Sequence, residues 1–271
     1  MCQSVRYNED TVWICSKILF KFFRKFQTHD RLRISLNKGI SLDHNAFRKF
    51  QNITHLDLTG SLIISLQRGC FDGLDRLRIL CLKNCDIVTI EQGVFNTLNN
   101  LTSLDLSHNE ISIIRNGWFN HLHNLTYLGL ERLYLIQAEQ GCLDGLVKLE
   151  HLCMANTPIG AFKEELKNLN GLKCFSSNMF NYATILSSVM PTNLEHLDMS
   201  NSVITILRAK YFEGMNNLIS INMVNCKMKL IDFDAFKGLN PTVLIFFDSH
   251  VFPCQANNGI NYSTTLRNIN Y

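Results

Sequence analysis

The sequence predicts an α/β repeat solenoid, in which stacked coils each contribute one short strand and an outer segment that is irregular or briefly helical. Three observations predict it. Leu32, Leu56, Leu80, Leu104, Leu128 and Leu152 recur at a constant interval of 24 residues, and the interval resumes at Ile221 and Ile245 after a wobble at Phe175 and Leu197. Around these positions the pattern L-x-x-L-x-L-x-x-N/C-x-I/L repeats, most cleanly at Leu101, Leu104, Leu106, Asn109 and Ile111. A phenylalanine column runs in step with it through Phe47, Phe71, Phe95, Phe119, Phe212 and Phe236, with Leu143 as a variant.

The L-x-L core alternates, which suits a short strand with one buried face. One coil cannot bury its own leucines, whereas stacked coils cover one another. After each strand the chain turns, and the buried backbone groups of that turn need partners. An inward Asn both donates and accepts, so a ladder of Asn would satisfy them. The column reads Asn37, Ser61, Cys85, Asn109, Leu133, Thr157, Phe180, Ser202, Cys226 and His250. Leu133 and Phe180 cannot replace those hydrogen bonds, so local distortion is expected at both turns. The phenylalanines are expected to stack as a core spine.

This constellation resembles the leucine-rich-repeat family in its typical 24-residue class, the class of Toll-like receptors, Slit-like proteins, small proteoglycans and hormone-receptor ectodomains. The resemblance implies a curved horseshoe with a parallel β-sheet on its concave side. Residues 29–252 carry about ten repeats, of which 149–193 are irregular, with intervals shortened to 23 and 22. "TVWICSKILFKFF" (11–23) after Cys2 resembles the cysteine-bearing amino-terminal cap, placed at 1–28. Such caps usually hold four cysteines, and here the resemblance implies a disulfide between Cys2 and Cys15. "HVFPCQANN" resembles the start of a carboxy-terminal cap, partial or degenerate over 253–271.

Composition narrows the class. With 46% hydrophobic and 18% charged residues the chain is globular, and a net charge of +3 gives no reason to expect nucleic acid. No apolar run approaches the roughly 18 residues of a membrane span. Met1 is followed directly by Cys2, with no apolar leader between. Either the protein is cytosolic, or the sequence is a mature or truncated stretch. The basic, apolar "SKILFKFFRKF" (16–26) suits a first coil covering the core edge better than a membrane helix.

Function is expected on the strand residues that flank the buried leucines. Their amino-terminal end is basic, with Arg31 and Arg33. Further along come Asp105, Tyr127, Glu131, His151, His196 and Asp198, the candidate ligand-binding residues; Tyr127 is a common anchor type, with Gly129 leaving room beside it. His151, Cys153, Cys174 and His196 are metal-ligand types on adjacent strands, but no short C-x-x-C spacing supports a metal, and none is expected. The register makes Cys153 and Cys174 diagonal neighbours with Cα atoms about 8 Å apart, too far for a disulfide. Sequons at Asn52, Asn100, Asn124 and Asn261 would accept glycans in a secreted protein.

No G-x-S-x-G, H-E-x-x-H or phosphate-cradling loop occurs, and no enzyme or cofactor is expected. Two functions follow. The first is a non-catalytic recognition domain, extracellular or at the cell surface, that binds a protein or glycan through the concave or flanking face. The alternative is a cytosolic inhibitor or scaffold that keeps its many thiols reduced.

Overall fold

A 24-residue interval between buried leucines translates directly into geometry, because consecutive strands then pair in parallel without stagger. The computed structural model shows this in residues 2–7, 10–15, 30–36, 40–42, 44–162, 164–178, 188–232, 234–248 and 262–263, the residues it describes. The chain divides into two units, Met1–Leu149 and Glu150–Tyr271.

In the first unit, Cys2–Tyr7 and Asp10–Cys15 form an antiparallel hairpin in which Cys2 faces Cys15 across the ladder. Asp10–Cys15 then pairs in parallel with Arg31–Leu36. The strands His55–Asp57, Ile79–Cys81, Ser103–Asp105 and Tyr127–Gly129 follow in order, all parallel. Leu32, Leu56, Leu80, Leu104 and Leu128 are successive Cα partners along this sheet, and all are buried. Each such leucine contributes roughly 2 kcal/mol of burial.

The outer side of the coils is built from turns and very short parallel strands. Ile40–Leu42, Ile63–Leu66 and Thr89–Ile90 form one small sheet, and Ile113–Ile114 pairs with Gln137–Ala138. Beneath them runs the phenylalanine spine. Phe47, Phe71, Phe95 and Phe119 stack nearly parallel with centroids 5.8, 6.2 and 6.2 Å apart.

The second unit repeats the scheme with His151–Cys153, Cys174–Ser176, His196–Asp198, Ser220–Asn222, Leu244–Phe246 and Tyr262–Ser263, all parallel and in that order. The shortened intervals do not shift the register: Leu152 pairs with Phe175, and Phe175 with Leu197. The missing residues are absorbed outside the sheet. The outer segment here carries the helical share of the fold among the described residues, two 3₁₀ turns at Ile159–Phe162 and Leu166–Asn168. Phe212 and Phe236 continue the aromatic stacking at 5.7 Å. Of the two caps, residues 16–29 and most of 253–271 lie outside the described residues, as do Asn37, Phe180 and His250 of the turn column.

The turn column works by several chemistries. Asn109 makes four close bonds: its Oδ1 accepts from the Cys85 and Ile87 amides at 3.0 Å each, and its Nδ2 donates to the Leu82 and Leu106 carbonyls at 2.8 Å each. Ser61 donates to the Ile34 carbonyl at 3.1 Å, and the Cys85 and Cys226 thiols donate to Leu58 and Met199 at 3.0 Å. The distortion expected at Leu133 does not occur in the backbone. Arg132 adopts φ +50°, matching the left-handed φ of +73° at Gly60, +55° at Asn84 and +59° at His108. Leu133 is buried and fills the site by packing. Asn109 already covers the Leu106 carbonyl that a polar residue at 133 would have reached.

Candidate recognition surface

The residues flanking the buried leucines fall on one sheet face in each unit, with the burial pattern intermediate–buried–intermediate in most strands. In the first unit the structure brings Asp105 beside the Tyr127–Gly129 strand, because Asp105 is the Cα partner of Gly129. The space expected next to Tyr127 is already filled. A Cβ on Gly129 would come within 2.6 Å of Asp105 Oδ1 and 2.9 Å of Ser107 Oγ, so the glycine makes way for side chains of the preceding coil.

Asp105 also holds the turn that follows its strand. Its Oδ1 accepts the Ser107 amide at 2.9 Å, and Ser107 Oγ in turn accepts the Glu131 amide at 3.1 Å. Asp57 does the same for Thr59 at 2.9 Å, while its other oxygen meets Arg33 Nε at 3.1 Å. The basic end of the face is therefore partly neutralised. Between these two aspartates in the register lies Cys81, whose thiol burial, aided by both carboxylates, pushes up to about 11.

In the second unit His151, Cys174 and His196 form one row on adjacent strands. His151 is the exposed member, and His196 Nδ1 lies 2.8 Å from Ser220 Oγ. Asp198 Oδ1 accepts the Ser200 amide at 2.9 Å, and Asn222 serves Val224 in the same way at 3.1 Å. Cys153 pairs with Ser176, which leaves Cys153 and Cys174 diagonal, and neither forms a disulfide. Among the described residues no group of three or more His, Cys, Asp or Glu side chains is arranged to hold a metal. Strands spaced about 4.8 Å apart carry their side chains side by side, so such a row does not converge on one point.

Two models of leucine-rich repeats match the sequence. One matches residues 30–87 and 75–135, and the other, a BspA-type leucine-rich-repeat region, matches residues 187–271. Together they cover more than half of the chain. The chain belongs to the leucine-rich-repeat family. Among solved structures, it is similar to human 5T4, the trophoblast glycoprotein also named Wnt-activated inhibitory factor 1, at 22% identity over 73% of this chain and 70% of that one, with a TM-score of 0.49. It is similar to a chain of the Drosophila Toll–Spatzle complex in its glycosylated form, at 15% identity over 83% of this chain, with a TM-score of 0.65. The leucine-rich-repeat chain spans only 34% of that Toll-complex chain, and the likeness is one of fold. Comparison with curated protein sequences gives no match.

Two features of these leucine-rich repeats escape a reading of the sequence. The first is the turn-holding role of Asp57, Asp105, Asp198 and Asn222; its signal is an Asx residue two positions before a turn amide. The second concerns the sequons. Asn100 Nδ2 donates to the Asp75 carbonyl at 2.7 Å, and Asn124 Nδ2 to the Asn99 carbonyl at 2.9 Å. Asn193 and Asn217, at the same repeat position but without a sequon, bond to the Asn170 and Thr192 carbonyls. The column is thus a second asparagine ladder between coils. Asn52 shares the repeat position and is exposed, and Asn261 lies outside the described residues. No helix of the described residues is long and apolar enough to cross a membrane.

Proposed function

We propose that this leucine-rich-repeat chain is a non-catalytic recognition domain of an extracellular or cell-surface protein, binding a protein or glycan ligand through its sheet face or flanks. The observation that carries the reading is the separation of roles within each strand: the leucines stay in register inside, while the outward positions change from coil to coil without touching the core. Tyr127, Glu131 and Asp105 form the recognition group of the first unit, and His151, His196 and Asp198 that of the second. The aspartates orient the turns, and Tyr127 and His151 supply the contact chemistry. The Toll chain of similar fold is known in complex with Spatzle, which fits a protein ligand.

The extracellular setting is supported by the hairpin that sets Cys2 opposite Cys15, since directly opposed residues in an antiparallel pair have Cα atoms within disulfide range. Glycans on Asn52, Asn100, Asn124 and Asn261 complete the reading; at Asn100 and Asn124 one of the two Nδ2 hydrogens serves the ladder and the other is replaced by the sugar. One observation favours the cytosolic alternative: among the described residues, the cysteines at positions 70, 81, 85, 142, 153, 174 and 226 form no disulfide. A non-reducing peptide map of protein secreted from eukaryotic cells behind a supplied leader separates the two. A Cys2–Cys15 bridge with glycan on Asn52, Asn100 or Asn124 is expected. Free Cys2 and Cys15 on retained protein would send the search to intracellular enzymes. Tyr127→Ala and His151→Ala should then each weaken capture of a ligand found among extracellular proteins, with unchanged melting temperature.

A further inference from the structure

Where the coils of the first unit leave the sheet, two side-chain columns run at 24-residue intervals. One reads Leu62, Asp86, Glu110 and Tyr134, and the other Ile64, Val88, Ser112 and Ile136. Backbone bonds keep them in phase, with the Val88 amide on the Ile64 carbonyl at 3.0 Å and the Ile136 amide on the Ser112 carbonyl at 2.8 Å. Among the described residues of the unit, this flank carries five of the six large apolar side chains that stand exposed; Val147 is the sixth. Tyr134 is 75% exposed and Ile136 is 82% exposed, far beyond what packing between coils leaves uncovered. Asp86 and Glu110 are exposed beside them and make no ion pair among the described residues, whereas Arg115 nearby is already matched by Glu139 at 3.2 Å.

The same two columns in the second unit carry the opposite charge. They read Val203 with Lys227, and Thr205 with Lys229, and Leu230 follows at once. Val203 is 61% and Leu230 58% exposed. Lys227 and Lys229 are exposed and, among the described residues, make no ion pair. One flank is thus apolar with unmatched acids and the other apolar with unmatched bases, at equivalent positions of the repeat.

We propose that the protein self-associates by laying the apolar, acidic flank of Met1–Leu149 in one copy against the apolar, basic flank of Glu150–Tyr271 in a second copy. The occupant is a second copy rather than a foreign protein because the chain itself supplies both complementary surfaces. Apolar burial of Tyr134 and Ile136 provides the affinity, and the charges fix which flanks meet. The proposal is independent of the sheet-face ligand and leaves that face open.

Sedimentation equilibrium of the full chain at low and high salt tests it. Concentration-dependent self-association that weakens at high salt is expected. Asp86→Lys with Glu110→Lys should weaken it at least tenfold, and so should Lys227→Glu with Lys229→Glu. Mixing the two variants should restore association, because each then presents the charges the other lacks. Tyr134→Ser with Ile136→Ser, which leaves the charges in place, should also weaken it at least tenfold and serves where a charge variant fails to fold. A monomer at all concentrations, association unchanged by these variants, or a mixture that stays monomeric would overturn the proposal. So would a monomer that uses Tyr134 and Ile136 only to bind another protein.

Discussion

The turns at Asn109 and Leu133 occupy the same position in consecutive coils and reach nearly the same backbone conformation by different chemistry. His108 and Arg132, which precede them, sit at φ +59° and +50°. Asn109 ties two coils together through four close hydrogen bonds to backbone groups, and Leu133 offers only buried apolar surface. The repeat therefore does not need an asparagine at every turn. One polar residue serves its own coil and the one before it, and the stacking of leucines and phenylalanines carries the backbone through turns that lack it.

Among substitutions at these turns the largest effect is expected at Asn109. Asn109→Ala leaves the buried Cys85 and Ile87 amides without this acceptor and should cost about 4 kcal/mol in urea denaturation. Leu133→Ala removes packing alone and should cost about 2.5 kcal/mol, with no change in the neighbouring amides. Ser61→Ala loses the bond to the Ile34 carbonyl and should cost about 1 kcal/mol. Ser202 differs again, since its buried Oγ has no hydrogen-bond partner among the described residues. Ser202→Ala should be neutral or slightly stabilising in the same assay, about 0.5 kcal/mol or less.

The thiols that replace asparagine in this column add a pH dependence. Burial lifts Cys85 from its ordinary 9.0 to about 12 and Cys226 to about 11. Because the folded values are raised, the stability these thiols contribute is fully present below about pH 9. It declines as pH rises toward the folded values, since the unfolded chain loses those protons first. Urea denaturation should show a fall above about pH 9 that shrinks in Cys85→Ala. A fall of equal size in that variant would assign it to other groups.

Much of the fold was legible in the sequence because its information is periodic. A constant interval between Leu32 and Leu152 specifies parallel pairing without stagger, and the Phe47–Phe119 column specifies the spine. The diagonal relation of Cys153 and Cys174 follows from the same register. What was not legible depends on where the backbone goes between the periodic positions. Asp105 and Asp198 read as surface side chains until the path of the turn brings the Ser107 and Ser200 amides to them. Gly129 reads as open space until Asp105 is placed against it. Asn100 and Asn124 read as glycan acceptors, and only their bonds to the preceding coil, shared with Asn193 and Asn217, show that the column has a structural task. The outer segments gave no periodic signal for helix, and most of them form turns and short strand pairs instead.

Amide hydrogen exchange at Cys85 and Ile87 tests most directly the claim that one asparagine serves two coils. Both amides donate to Asn109 Oδ1, a residue 24 and 22 positions further along the chain. Slow exchange at both, selectively accelerated by Asn109→Ala and unaffected by Leu133→Ala, is the expected result. Exchange at these amides that is already fast in the unaltered protein, or that responds equally to both substitutions, would contradict it.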